Sequence, residues 1–177
     1  MAIRPAVIAV AAALAAAASA SAQTTSNPYT TAIRTQSEQI RGLVLRTAEK
    51  VPEDLYAFKA TPEVRSLGGI LGHIADGNLL LCGIANGDKP AMAMANEKKT
   101  TRAELIAALK ESFAFCDKVF ASTTDANGAT MVQMFGQQTP KLGVLASNNS
   151  HMMEHYGNLV TYMRLNKIVP PSSERSQ

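Results

Sequence analysis

Four stretches of this chain repeat apolar residues at the spacing of an α-helix, and none alternates them as a strand would. The first runs from about Tyr29 to Val51 and puts Ile33, Ile40, Leu43, Val44, Ala48 and Val51 on one face. The second, from about Ser66 to Asn86, aligns Leu67, Ile70, Leu71, Ile74, Leu81 and Ala85, with Ser66 as a candidate N-cap and Gly87 as a stop. The third opens on the capping-box pattern Thr101-x-x-Glu104 and carries Leu105, Ala108, Leu109, Phe113, Cys116, Val119 and Phe120. The fourth reads as capped by Thr139, with Pro140 at its first position, and aligns Leu142, Leu145, Ala146, Met153, Tyr156, Leu159, Val160 and Met163. Four such helices predict an all-α four-helix bundle.

The residues ahead of the first helix read as an export leader. Arg4 is followed by an unbroken apolar run from Ala6 to Ala17. That run suits a signal-peptide core and falls short of the roughly 20 residues a spanning helix needs. Small-x-small sites end at Ala20 and Ala22, and the polar stretch from Gln23 favours cleavage after Ala22. Residues 1–22 are thus expected to be a signal peptide and 23–177 one domain, periplasmic or secreted. An Ala-rich tail or an uncleaved anchor is the alternative. The residue after the expected cleavage site is Gln23 and not a cysteine, so a lipoprotein anchor is not expected, and no other segment reads as a membrane anchor.

About 155 residues remain, enough for one real core. The chain has 17 basic and 14 acidic residues, net +3, and Arg4 leaves with the leader. A charge so small and so evenly spread argues against nucleic acid as a partner. Two connections are long: 87–100 joins helices two and three, and 124–138 joins three and four. Antiparallel neighbours usually need about 2–8 residues, so the first connection has length enough to run along the bundle and make helices two and three parallel. The tail Pro170-Pro171-Ser172-Ser173 cannot continue a helix and is expected to lie extended on the surface.

The chain has three histidines. His151 and His155, four apart, stack two imidazoles on one helix face, as a chelating pair requires. They lie in a second, polar stripe: Asn148, His151, His155, Asn158 and Tyr162. Such a stripe inside a buried helix is costly unless something satisfies it, and a metal with amides behind it would do so. The bland alternative is a solvated face, against which the flanking Met152, Met153 and Tyr156 argue. His73 is the one histidine left to complete the set. Gly69 and Gly72, one turn back, each cost about 1 kcal/mol against alanine in a helix, which suggests that another backbone or a ligand comes close. The run His151-Met152-Met153-Glu154-His155 also fits the inverted zinc-peptidase signature H-x-x-E-H. That reading needs a downstream glutamate, and only Glu174 remains, in the tail.

The segments PEVRSLGGILGHIADGN and SHMMEHYGNLVTYMRLNKIVPPSS, in this order and on these helices, resemble the DinB family of metalloenzymes across almost the whole mature chain. The resemblance implies an up-down-down-up bundle with a long crossover between helices two and three. It also implies a divalent cation, nickel or zinc, held by His73, His151 and His155 with positions open to substrate. Some relatives are thiol-dependent transferases or isomerases; a chain with a leader departs from that pattern, because cytosolic thiols are not obviously at hand outside.

A metal-dependent enzyme is therefore the leading expectation, with Glu154 as the residue that accepts or relays a proton, or else a mere surface glutamate. Tyr162 and Arg164 are weaker candidates, the latter because it complements a helix C-terminus. The rival class is a non-catalytic metal-binding or stress-response module. Eight methionines, among them Met92, Met94, Met131, Met134, Met152 and Met153, leave copper conceivable, though scattered methionines usually fill cores. A small-molecule substrate is the partner expected, and self-association as a homodimer is left open.

The two cysteines test the topology. Cys82 and Cys116 stand about 24 Å and about 22 Å from the starts of their helices. If helices two and three are parallel the two lie at one height; if antiparallel, they are about 16 Å apart. A disulfide needs Cα atoms roughly 4.4–6.8 Å apart. Parallel helices with the two side chains close together are expected, as a disulfide or as two buried thiols.

Overall fold

In the computed structural model of the protein, residues 26–89 and 94–174 are described. The leader 1–22 with its cleavage site lies outside them, as does Met92. Four long helices make the body: α1 (Pro28–Lys50), α2 (Leu67–Asn86), α3 (Arg102–Ser122) and α5 (Lys141–Leu165), with one short turn of helix, α4 (Asp125–Gly128).

Their directions follow from the pairs that touch. Asn78 Nδ2 donates to Ser112 Oγ at 3.3 Å, and Cys82 is bonded to Cys116, so α2 and α3 run parallel. Asn149 Nδ2 donates to the Ile33 carbonyl, and Lys50 pairs with Glu174 just past α5, so α1 and α5 also run parallel. Arg41 reaches Asp117 while Thr30 binds Asp125, which sets α1 against α3. Tyr162 donates to the Arg65 carbonyl and Asn148 to Asn78, which sets α2 against α5. The order is up-down-down-up, with the crossover between α2 and α3. The two cysteines form a disulfide with Cα atoms 5.4 Å apart, the closed member of the two alternatives.

The helix ends are largely local chemistry. Ser66 accepts from the Gly69 amide, and Gly87 ends α2 at φ 91°. Thr101 accepts from the Glu104 amide, but the Glu104 carboxylate takes the Thr101 hydroxyl, so only half a capping box forms. The fourth helix begins later than expected. Thr139 and Pro140 close a strand, and Pro140 rather than Thr139 holds the N-cap position.

That strand belongs to a hairpin the sequence did not reveal. β1 (Met131–Met134) pairs antiparallel with β2 (Gln137–Pro140), in the register Met131–Pro140 to Met134–Gln137. Its turn is Phe135-Gly136, both at positive φ. The tail is not extended either: Pro171–Ser173 forms a 3-10 turn docked on α5, with the Ser172 amide donating to the Tyr156 hydroxyl and Pro171 buried.

Two apolar clusters build the core. One holds Ile40, Leu71, Ile74, Leu109, Met152 and Leu159; the other holds Leu81, Ile84, Val119, Phe120, Val144 and Leu145 around the disulfide. Between them lies a buried polar layer of Asn78, Ser112 and Asn148. By length and composition α2 would suffice to cross a bilayer, a reading its sequence pattern had not suggested. However, 83% of its apolar window is buried inside the bundle, as befits a central helix.

Candidate metal centre

His73 on α2 faces His151 and His155 on α5, just below the polar layer. One ligand atom from each lies within 4.8 Å of the others. Ring centroids are 4.5 Å apart for His151 and His155, 4.7 Å for His73 and His155, and 5.1 Å for His73 and His151. The expected constellation is thus brought together from two antiparallel helices.

The donor set fits a metal. His151 Nε2 stands 3.2 Å from His73 Nε2. Two nitrogens bound to one ion at about 2.0–2.1 Å each would stand roughly 2.8–3.4 Å apart. Two of the imidazoles, His151 and His155, are also biased toward the neutral form a ligand needs. Burial, followed by the neighbouring His155, His73 and Arg65, pushes the pKa of His151 down to about 4. Burial and then His73 lower that of His155, partly offset by the Glu154 carboxylate. His151 Nδ1 is buried without a partner among the described residues, so the Nε2 edge is the one turned to other nitrogen atoms.

A chain of polar residues backs His73. Its Nδ1 lies 3.1 Å from Glu97 Oε2, and Arg65 Nε donates to Glu97 Oε1 at 2.7 Å. Burial opposes ionisation of Glu97, but the hydrogen bond and charge of Arg65, with help from His73, hold its carboxyl below the usual range. Asp76, one turn beyond His73, fixes the loop that carries Glu97. Its carboxylate accepts from the backbone amides of Asn96 and Glu97 and from the Asn96 side chain, at 2.8–3.2 Å. A carboxylate hydrogen-bonded to a histidine fixes the tautomer and raises ligand basicity.

Two glycines make room for this. A Cβ at Gly72 would come within 2.7 Å of the backbone at Asn96 and Glu97, so the suspected close approach is real and its cause is the Glu97 loop. A Cβ at Gly77 would stand 2.8 Å from His151 Nδ1 and nearer still to Cε1. At Gly69 the first atom met is its own cap, Ser66 Oγ, at 3.1 Å, so that glycine serves no approach of another segment.

Cavities open on both sides of the histidines. One of about 520 Å³ borders His73 and His151 and is otherwise lined largely by apolar residues, among them Leu79, Leu80, Met94, Met134 and Phe135. The other, about 570 Å³, borders His155 with Glu63, Glu97, Asn158 and Tyr162. Arg65 lines both.

The remaining sequence candidates fall in different places. Glu154 is exposed on α5 and makes no hydrogen bond among the described residues; the carboxylate that touches the cluster is Glu97, which sequence reasoning missed. Asn158 Nδ2 sits 3.5 Å from His155 Nδ1, whereas Asn148 turns to Asn78 and the disulfide. Tyr162 is buried and props the Arg65 carbonyl. Arg164 binds Ser173, and Glu174 pairs with Lys50 and Arg46, so no glutamate completes an inverted zinc-peptidase site. Met152 is buried in the core, while Met94 and Met134 border the first cavity.

The sequence profile of the DinB superfamily matches residues 36–159. No curated protein matches the sequence. Among solved structures, a DinB-like protein from Bacillus cereus superposes with a TM-score of 0.69 at 15% identity, covering 78% of this chain and 93% of that one. The DinB-like protein YjoA from Bacillus subtilis gives 0.64 at 20% identity, over 82% and 99%. A mycothiol-dependent maleylpyruvate isomerase gives 0.64 at 15% identity, over 73% of this chain and 60% of that one.

Proposed function

Because this chain belongs to the DinB superfamily, we propose that it is an exported metal-dependent enzyme that holds one divalent ion, nickel or zinc, on His73, His151 and His155. We assign it to thiol-dependent transfer or isomerisation. The observation that carries the reading is the convergence of three imidazoles, two of them with depressed pKa values, on one point between two cavities. A structural metal site is closed by four protein ligands, whereas a catalytic one keeps a position open beside substrate space. A divalent ion there would polarise a substrate carbonyl or favour a thiolate at neutral pH.

The chain's own residues have distinct tasks in this scheme. Glu97, ionised and anchored by Arg65, holds the proton of His73 at Nδ1 and so turns Nε2 inward as a lone-pair donor. Leu79, Leu80 and Phe135 keep one side of the centre apolar. Glu154 remains the candidate relay between His155 and bulk solvent, one residue from that histidine and open to water. The superposition with a mycothiol-dependent isomerase supports thiol chemistry as the first class to try.

Export rests on the leader pattern of residues 1–22 and fits the Cys82–Cys116 disulfide, which persists in oxidising compartments. Intact mass of protein from the native host should place the mature N-terminus at Gln23 or Ser21; a mass retaining residues before Ala18 would refute the leader.

The deciding experiment is metal analysis of the purified mature protein, followed by a thiol-transfer screen with and without metal. One ion per chain is expected, lost in His73→Ala, His151→Ala and His155→Ala and kept in Glu111→Ala. Full occupancy in His73→Ala would remove α2 from the site. Stoichiometric binding without turnover of any thiol acceptor would favour a metal-binding or stress-response module instead.

A further inference from the structure

The apolar cavity beside His73 and His151 concentrates backbone strain as well as hydrophobic surface. Three described non-glycine residues have positive φ: Met94 at 42°, Phe135 at 50° and Lys167 at 61°. Lys167 lies in the turn that ends α5, where a left-handed residue is common. Met94 and Phe135 both border this one cavity. Phe135 holds the first central position of the hairpin turn, a place that asparagine, aspartate or glycine fills at little cost. It is also 66% exposed, so packing within the chain does not offset the strain. Strained residues of this kind persist where a site requires them.

The charges of the cavity are equally asymmetric. Asp76 borders it, but both carboxylate oxygens are engaged with Asn96 and Glu97. Arg65 spends Nε on Glu97, and its two terminal nitrogens have no hydrogen-bond partner among the described residues. A guanidinium with two free terminal nitrogens at the rim of an apolar chamber matches a carboxylate on a hydrocarbon body.

We propose that this cavity binds a largely apolar monocarboxylate, with its hydrocarbon body beneath Met94 and Phe135 and its carboxylate toward Arg65. The proposal names a substrate class for the site above and rests on that reading only in calling the ligand a substrate. The binding itself needs no metal.

The test is calorimetric titration of chelator-treated protein with decanoate, decanol and decyltrimethylammonium. Decanoate should bind at least tenfold tighter than either of the others. Phe135→Asn suits the turn better than phenylalanine, so its melting temperature should hold or rise while decanoate affinity falls at least fivefold. Arg65→Gln should erase the preference for decanoate over decanol and leave decanol affinity unchanged. Equal affinities for the three amphiphiles, or wild-type decanoate binding by Phe135→Asn, would overturn the proposal. Because the titration is run without metal, such a failure would leave the histidine site standing, and loss of the metal reading would leave a positive titration standing.

Discussion

Replacing Gly77 with alanine should separate the metal centre from the fold. The new Cβ would stand 2.8 Å from His151 Nδ1 and 3.2 Å from Nε2. Unbonded heavy atoms settle at about 3.5–4.0 Å and Cε1 would lie closer still, so the ring must retreat by about 1.2–1.7 Å. It has somewhere to go, since His151 borders the apolar cavity. A metal ligand tolerates a displacement of only about 0.2 Å. His151 is therefore lost as a ligand, and metal affinity should fall at least about 100-fold, which is about 2.7 kcal/mol. Stability should change less, by about 0–2 kcal/mol. Overpacking costs about 1–3 kcal/mol, while alanine in place of a helical glycine returns about 1 kcal/mol.

The assay is competition for zinc or nickel against a chromophoric chelator, with thermal melts of the metal-free proteins alongside. Gly42→Ala is the control: a Cβ there meets nothing within 4 Å, so it should raise stability slightly and leave affinity alone. Gly77→Ala binding metal within threefold of wild type, with an unchanged melt, would refute the placement of the His151 ring and the site built on it.

Other perturbations follow from the same geometry. Asp76→Ala frees the Asn96 and Glu97 amides and should cost roughly 10–100-fold in metal affinity through loss of the His73 partner, as should Glu97→Gln, measured by the same competition. Glu154→Gln should leave metal affinity unchanged, and a slower thiol-transfer step in it would be the sign of a relay. Cys82→Ala with Cys116→Ala opens a loop of sequence separation 34 and should lower unfolding stability in urea by roughly 3–4 kcal/mol. The pKa of His151 is depressed from 6.5 to about 4, so the unfolded chain binds more protons between those values. Metal-free stability should therefore rise with pH from about 4 to about 6.5, by roughly 2 kcal/mol once the ring's partial exposure is allowed for, and His151→Leu should flatten that slope.

What the sequence made legible was whatever depends on spacing along a helix. The His151–His155 pair, the polar stripe through Asn148 and Asn158, and the equal heights of Cys82 and Cys116 all follow from rise and turn, and all stand in the structure. Position on the turn between the two histidines points to Glu154, but one residue from His155 is about 100° of helix rotation, which carries its side chain off the histidine face and into water. Glu97 lies in a connection with no periodicity, and it meets His73 only because Asp76 clasps the loop. The visible clue was Asp76 itself, a charge in the most apolar helix, where a buried carboxylate must have donors. The hairpin was hidden because its turn is Phe135-Gly136 and its strands are short, without alternation of polar and apolar residues.

Helix α2 is intrinsically the weakest of the four long helices and yet carries the disulfide to α3 and the His73 side of the histidine cluster. Its sequence LGGILGHIADGNLLLCGIAN contains five glycines. Against alanine these cost about 4–5 kcal/mol of helix propensity. Three of them stand where a Cβ would crowd a neighbour: Gly68 against Tyr56 and Leu105, Gly72 against the Glu97 loop, and Gly77 against His151. Close approach thus takes away what would have made α2 helical by itself, and tertiary contacts must supply it. The disulfide to α3 contributes roughly 3–4 kcal/mol by constraining the unfolded chain. An ion on His73, His151 and His155 would tie α2 to α5 and, at a free concentration 1,000 times its dissociation constant, contribute about 4 kcal/mol more. The two ties act on different partners of the same helix, on either side of the Asn78–Ser112–Asn148 layer. Metal should therefore raise the melting temperature of the protein lacking both cysteines by at least as much as that of the wild type, because α2 then has no other cross-link to hold it.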